Sequence, residues 1–76
     1  MKLELFYFES CPFCQKVLRF LEEKGHNVTF KDIRSADKYR DELSSMIGKI
    51  QVPCLVIDGT PMLESDDIII FLKNDC

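Results

Sequence analysis

The sequence predicts a single α/β domain: a mixed four-stranded sheet with three helices, in the order β-α-β-α-β-β-α. Three observations carry that prediction. Short strand-like runs recur at residues 3–8, 28–33, 55–57 and 61–63, the first three rich in aromatic or β-branched residues. Stretches with helical apolar spacing separate the first three runs and follow the last. The final two runs are joined by Asp58-Gly59, a pair typical of two-residue hairpin turns.

Each element has a local cause. Leu3 to Phe8 begin with alternation and are rich in aromatic rings, which suits a strand with a buried face. Glu9-Ser10 breaks it. Cys11-Pro12 then opens a helix, because proline at the first helical position lacks an N–H that has no partner there anyway. Cys14, Val17, Leu18 and Leu21 fall on one apolar stripe, and Gly25 ends the helix. After a turn at His26-Asn27, the alternating Val28, Phe30 and Ile33 predict a second strand. A charged helix is expected over 36–47, with Tyr39, Leu43, Met46 and Ile47 as its apolar side and Gly48 at its end. Leu55-Val56-Ile57 and Pro61-Met62-Leu63 form the hairpin strands. Ser65 is expected to cap a last helix over 66–73, whose Asp66 and Asp67 suit its dipole. The first two strands, joined through a helix, are predicted parallel and the last two antiparallel.

Composition narrows the function. The 76 residues make one domain, 1–76, with 46% apolar and 30% charged residues. A net charge of −3 argues against nucleic acid, whose phosphates need a basic face. The longest apolar runs, 6–8 and 68–72, are too short to span a membrane. Glu4 interrupts any secretory signal, so a cytoplasmic monomer is expected. In that compartment thiols stay reduced, and a close cysteine pair points to catalysis or metal binding.

Cys11-Pro12-Phe13-Cys14 is such a pair. The first backbone N–H groups of a helix lack partners and carry partial positive charge, which favours a thiolate at the cap. Cys11 is therefore the candidate nucleophile. Cys14, one turn in and on the apolar stripe, is placed to resolve a mixed disulfide on Cys11. Zinc is the competing reading, but only His26, Cys54 and Cys76 remain to complete four ligands. An inert structural bridge is the other, and it fits a reducing compartment poorly.

With the pair placed after the first strand, the whole chain resembles a glutaredoxin. Cys11-Pro12-Phe13-Cys14 is similar to that family's active-site tetrapeptide, with Phe13 in place of the commoner tyrosine. Val52-Pro53 falls where thioredoxin-fold proteins place a cis proline. The segment from Leu63 to Asp67 matches the part that holds the γ-glutamyl end of glutathione. Its Glu64-Ser65 looks more like the N-terminal domain of glutathione transferases.

The resemblance implies a thioredoxin-like fold and a dithiol glutaredoxin that reduces protein disulfides or glutathione mixed disulfides. Glutathione is the implied co-substrate, with no tightly bound cofactor and no metal. The implied glutathione site is Phe13, Lys49, Val52, Pro53, Glu64, Ser65 and Asp66, with Lys49 on the glycine carboxylate. A redoxin served by thioredoxin reductase, an iron–sulfur carrier and a detached transferase-like binding domain are the alternatives.

One departure stands out. Many glutaredoxins carry lysine three residues before the first cysteine; here Phe8 stands there, beside Glu9. A less activated Cys11 or a shifted substrate preference is expected. Lys16 is expected to be a solvated helix-face residue, and His26 a solvated turn residue. Cys54 reads as a buried small hydrophobe, and Cys76 as a frayed bystander thiol.

Overall fold

The computed structural model describes residues 1–75; Cys76, expected to fray, lies outside them. Strand β1 (Leu3–Tyr7) is bonded on both sides. It runs parallel to β2 (Thr29–Asp32), with Glu4 opposite Thr29 and Tyr7 opposite Asp32. On its other side it runs antiparallel to β3 (Cys54–Ile57), with Leu3 opposite Ile57 and Phe6 opposite Cys54. Strand β4 (Thr60–Met62) closes the hairpin on β3, giving the order β2-β1-β3-β4. Asp58 and Gly59 take φ of 48° and 91°, and a type I′ turn needs positive φ at both positions. With α1 (Pro12–Lys24), α2 (Asp37–Ile47) and α3 (Ser65–Asp75), the element order and sheet are those the sequence predicts.

The central strands are apolar on both faces because both faces are covered. Successive strand residues face opposite ways. Leu5 and Leu55 thus join Val17 and Leu21 of α1 and Ile68 and Leu72 of α3 in one core. Phe6, Cys54 and Val56 join Leu43 of α2 in the other. Gly25 and Gly48 end α1 and α2 with φ of 71° and 76°, a conformation that favours glycine.

Phe30, on the edge strand β2, is 46% exposed and meets Tyr7 edge-to-face at 6.0 Å. Two local expectations are corrected. His26 is not a solvated turn residue. Its Nε2 lies 3.2 Å from the Leu72 carbonyl, its ring stacks on Phe20, and its Nδ1 is buried without a partner. Gly25 turns the chain back over α3, which brings that ring inward. Ser65 is the first residue of α3 and not its cap. Glu64, at φ 73°, makes the entry turn and its carbonyl accepts the Ile68 N–H at 3.0 Å.

Lys31 ties β2 to its neighbours. Its Nζ lies 2.6 Å from Glu4 on β1 and 2.9 Å from Glu42 on α2, over the rings of Phe6 and Tyr39. Burial alone lowers the pKa of this ammonium, but hydrogen bonds to Glu4 and Glu42 hold it above the ordinary lysine value. The Lys31 hydrogen bond holds the Glu4 carboxyl below its ordinary value of 4.5, against a smaller opposing effect of burial. A depressed carboxyl contributes stability above its unfolded pKa and loses it in acid. Lys31→Met is expected to cost about 1–3 kcal/mol at neutral pH, because Glu4 loses its partner. Urea titrations of both proteins check this, and the deficit should shrink as the pH falls below the ordinary carboxyl value.

Candidate active site

The site starts at the turn between β1 and α1. Cys11 is extended at φ −77° and ψ 119°, and Pro12 opens α1 behind it. The Gln15 N–H donates to the Cys11 carbonyl at 2.9 Å, the first helical bond. The Cys11 Sγ accepts the Cys14 N–H at 3.4 Å, so the sulfur itself caps the helix. The Cys11 N–H donates to the Phe8 carbonyl at 3.2 Å, which ties the site to the end of β1.

Cys11 keeps 7% of its surface open and Cys14 none, so of the pair only Cys11 touches solvent. Burial pushes the Cys14 thiol up to about 12, with the Phe8 amide opposing and the Cys11 sulfur adding to the rise. Cys14 is thus a protonated thiol at neutral pH. Cys54 is fully buried, and burial pushes it up to about 11 against the Met62 amide. It packs as a core hydrophobe on the α2 side of the sheet. Cys11, Cys14 and Cys54 are all free thiols.

A cleft of about 520 Å³ is lined by Phe13, Gln51, Val52, Pro53, Glu64, Ser65, Asp66 and Asp67. Three chain segments make it: the first turn of α1, the loop entering β3, and the start of α3. The Val52–Pro53 bond is cis, as the resemblance implied. Phe13 is 64% exposed on the cleft side of the cysteine pair. Six of the seven residues expected to bind glutathione line this one cleft.

The seventh, Lys49, does not. It is exposed and absent from the lining, because α2 ends at Gly48 and the chain enters the cleft only from Gln51 onward. Gln51 and Asp67 also line it: Gln51 adjoins Val52-Pro53, and Asp67 is the last residue of the Leu63–Asp67 segment. The lining carries three carboxylates, Glu64, Asp66 and Asp67, and no lysine, arginine or histidine. Lys16 is a solvated residue on the face of α1, as expected, and its ammonium pairs with the exposed carboxylate of Asp66. Among the described residues no group of three or more His, Cys, Asp or Glu is placed to hold a metal ion, and no helix is long and apolar enough to cross a membrane.

Sequence reasoning also missed Arg34. Its guanidinium lies 4.1 Å over the Phe8 ring, and its Nη1 donates to the Ser10 hydroxyl at 3.2 Å. The loop between β2 and α2 thus brings a cation to the strand end where the family's lysine is missing. No sequence spacing links residues 8 and 34; only the parallel pairing of β1 and β2 does.

The family model described as glutathione S-transferase, N-terminal domain, matches residues 5–75. A glutaredoxin-like 8.6 kDa protein in the rubredoxin operon of Clostridium pasteurianum is 34% identical over 75% of this chain and 76% of its own length. Prostaglandin E synthase 2 of Danio rerio is 31% identical over 92% of this chain, but the chain spans only 18% of that protein. Among solved structures, a mutant of the thioredoxin-like protein BC3987 superposes with a TM-score of 0.81 at 24% identity, covering 96% of this chain and 100% of that one. Wheat glutaredoxin superposes at 0.73 with 22% identity, covering 99% of this chain and 74% of that one.

The fold is that of the thioredoxin-like proteins. Within it, the chain belongs to the family of glutaredoxin-like proteins and glutathione transferase N-terminal domains.

Exposure and protonation together predict the order of thiol reactivity. Brief iodoacetamide treatment at neutral pH should alkylate Cys11 and leave Cys14 and Cys54 at least about 100-fold slower, because a buried thiol held far above neutrality offers almost no thiolate. Peptide mapping of these three residues reads the result. Labelling of Cys54 at the rate of Cys11 in the folded protein would contradict the burial described.

Proposed function

We propose that the protein is a glutathione-dependent dithiol oxidoreductase, with Cys11 as nucleophile and Cys14 as resolving thiol. The observation that carries this reading is the cleft. It gathers Phe13, Val52, Pro53 and the start of α3 beside the helix turn that holds both cysteines.

In the forward reaction the Cys11 thiolate attacks one sulfur of a mixed disulfide. The Cys11–sulfur bond forms, the substrate disulfide breaks, and the departing thiolate takes a proton. When the captured half is glutathione, a second glutathione thiolate releases it as glutathione disulfide and restores Cys11. For a protein disulfide, Cys14 loses its proton and attacks the Cys11 sulfur. The partner's second thiol leaves, and a Cys11–Cys14 disulfide remains. Two glutathiones then reduce that bond and are themselves oxidised to the disulfide.

The cleft suits the γ-glutamyl end of the tripeptide. Backbone N–H groups at the start of α3 favour its carboxylate, and Glu64, Asp66 and Asp67 favour its ammonium. The Val52 backbone beside Pro53 suits the cysteinyl part as an added strand.

A second reading has one observation behind it. With Lys49 outside the cleft, the lining has no cation for the glycine carboxylate. That favours a redoxin reduced directly by a thioredoxin reductase. Reduction of the Cys11–Cys14 disulfide by thioredoxin reductase at a rate above that by glutathione would establish it.

A glutathione and glutathione-reductase coupled assay separates the roles of the two thiols. Cys11→Ser is expected to lose all turnover. Cys14→Ser is expected to keep turnover on a glutathionylated substrate and lose it on a protein disulfide, since only the latter needs the resolving thiol. Full turnover by Cys11→Ser, or none by the wild type, would sink the proposal.

A further inference from the structure

The two edges of the sheet differ in how they are protected. Unpaired edge backbone invites another strand, and proteins commonly blunt it with proline or an outward lysine. In β4 the middle residue is Pro61, which has no N–H to offer. Strand β2 has no proline. Its one lysine is turned inward: the Lys31 side chain is 13% exposed and is held by Glu4 and Glu42. Its one acid is turned onto its own loop, where the Asp32 Oδ1 accepts the Arg34 N–H at 2.8 Å. What β2 presents at its outer edge is Phe30, exposed even though its ring meets Tyr7.

The free backbone groups follow from the ladder. The Ile33 N–H donates to the Tyr7 carbonyl, so Ile33 is bonded toward β1. Backbone direction alternates along a strand, so Thr29 and Lys31 also face β1, while Phe30 and Asp32 face away from it. No other strand lies beyond β2 among the described residues. Phe30 therefore offers an N–H and a C=O beside an exposed ring. The Asp32 carbonyl already accepts the Ser35 N–H, and its own N–H points outward.

We propose that β2 pairs with β2 of a second copy of this chain, antiparallel and centred on Phe30. The strand is complementary to itself in that register and not in the neighbouring ones. A two-fold axis perpendicular to the sheet keeps each face on its own side, so the centre must fall on a residue. Centred on Phe30, ring stands opposite ring with a Tyr7 beside each, and the two Phe30 residues exchange both backbone hydrogen bonds. Lys31 then falls opposite Thr29, and Asp32 opposite Val28. Centred one residue on, Lys31 would face Lys31, an opposition of like charges. Centred one residue back, Lys31 and Asp32 would face the turn at His26-Asn27, outside any strand. The two four-stranded sheets become one continuous sheet. Because the pairing is antiparallel, the two Cys11 turns lie at opposite ends of it, and each cleft lies on the far side of β1 from the joint. The joint is small, so the pair forms in concentrated protein and the expected monomer prevails in dilute solution. None of this depends on what the cysteines do.

The test uses the full chain with a thiol reductant present, which excludes disulfide-linked pairs. Sedimentation velocity from low micromolar to millimolar concentration should show the mass rising toward twice that of one chain. Phe30→Lys, which puts an outward lysine on the edge, should hold the mass at that of one chain throughout. Phe30 is exposed, so this variant should keep the unfolding midpoint of dilute wild type. Amide exchange reads the register with no substitution at all. In concentrated wild type the Phe30 and Asp32 N–H groups should exchange about tenfold slower than in dilute protein, while Lys31, bonded to β1, is unchanged. A wild type that stays monomeric at every concentration overturns the proposal. So does a dimer that survives Phe30→Lys, which would place the interface elsewhere. Concentration-dependent protection outside β2, and not on Phe30 and Asp32, overturns it as well.

Discussion

The unpaired N–H groups at the start of α1 are the constraint around which the site is built. A helix start needs an acceptor, and here the acceptor is the Cys11 sulfur on the Cys14 amide. That bond holds Cys11 in extended backbone just outside the helix while Pro12 fixes the next residue. The same geometry puts Cys14 one turn inside, where the core covers it. The two thiols therefore differ for one reason: the first caps the helix and the second belongs to its buried face. The proposed division into attacking and resolving thiol rests on that difference.

The sheet makes the arrangement stiff. Strands β1 and β3 are covered on both faces, so the ends of both are fixed relative to the helices. Phe8 leaves β1 directly into the Cys11 turn, and Pro53 precedes β3 on the neighbouring strand. Antiparallel pairing of β1 and β3 places those two ends side by side, with Phe6 opposite Cys54. Helix α3 packs with α1 in the same core and brings its first turn to the third side of the cleft. Three sequence-distant segments thus meet because two central strands and two packed helices leave them no other place.

Much of this was legible in the sequence, and the reasons are local. The proline after Cys11, the glycines after the two long helices and the Asp58-Gly59 turn each mark a boundary by backbone chemistry alone. The central strands were readable as apolar runs, and the cleft residues through resemblance to known motifs. What the sequence does not show has a different cause: His26 and Arg34 depend on what packs across from them. Nothing in the sequence around His26 announces Leu72 or Phe20. Arg34 is invisible to sequence spacing because the residue it covers, Phe8, lies one crossover away.

The central claim is that a tripeptide joined to Cys11 lies in the cleft between Phe13 and the start of α3. The most direct measurement is an amide chemical-shift map of the Cys14→Ser protein carrying one glutathione in disulfide linkage to Cys11. The account predicts that the largest shifts, beyond those at the modified turn, fall on Phe13, Gln51, Val52 and Glu64 to Asp67. Shifts confined to the Cys11 turn, or centred on residues away from the cleft, would contradict it.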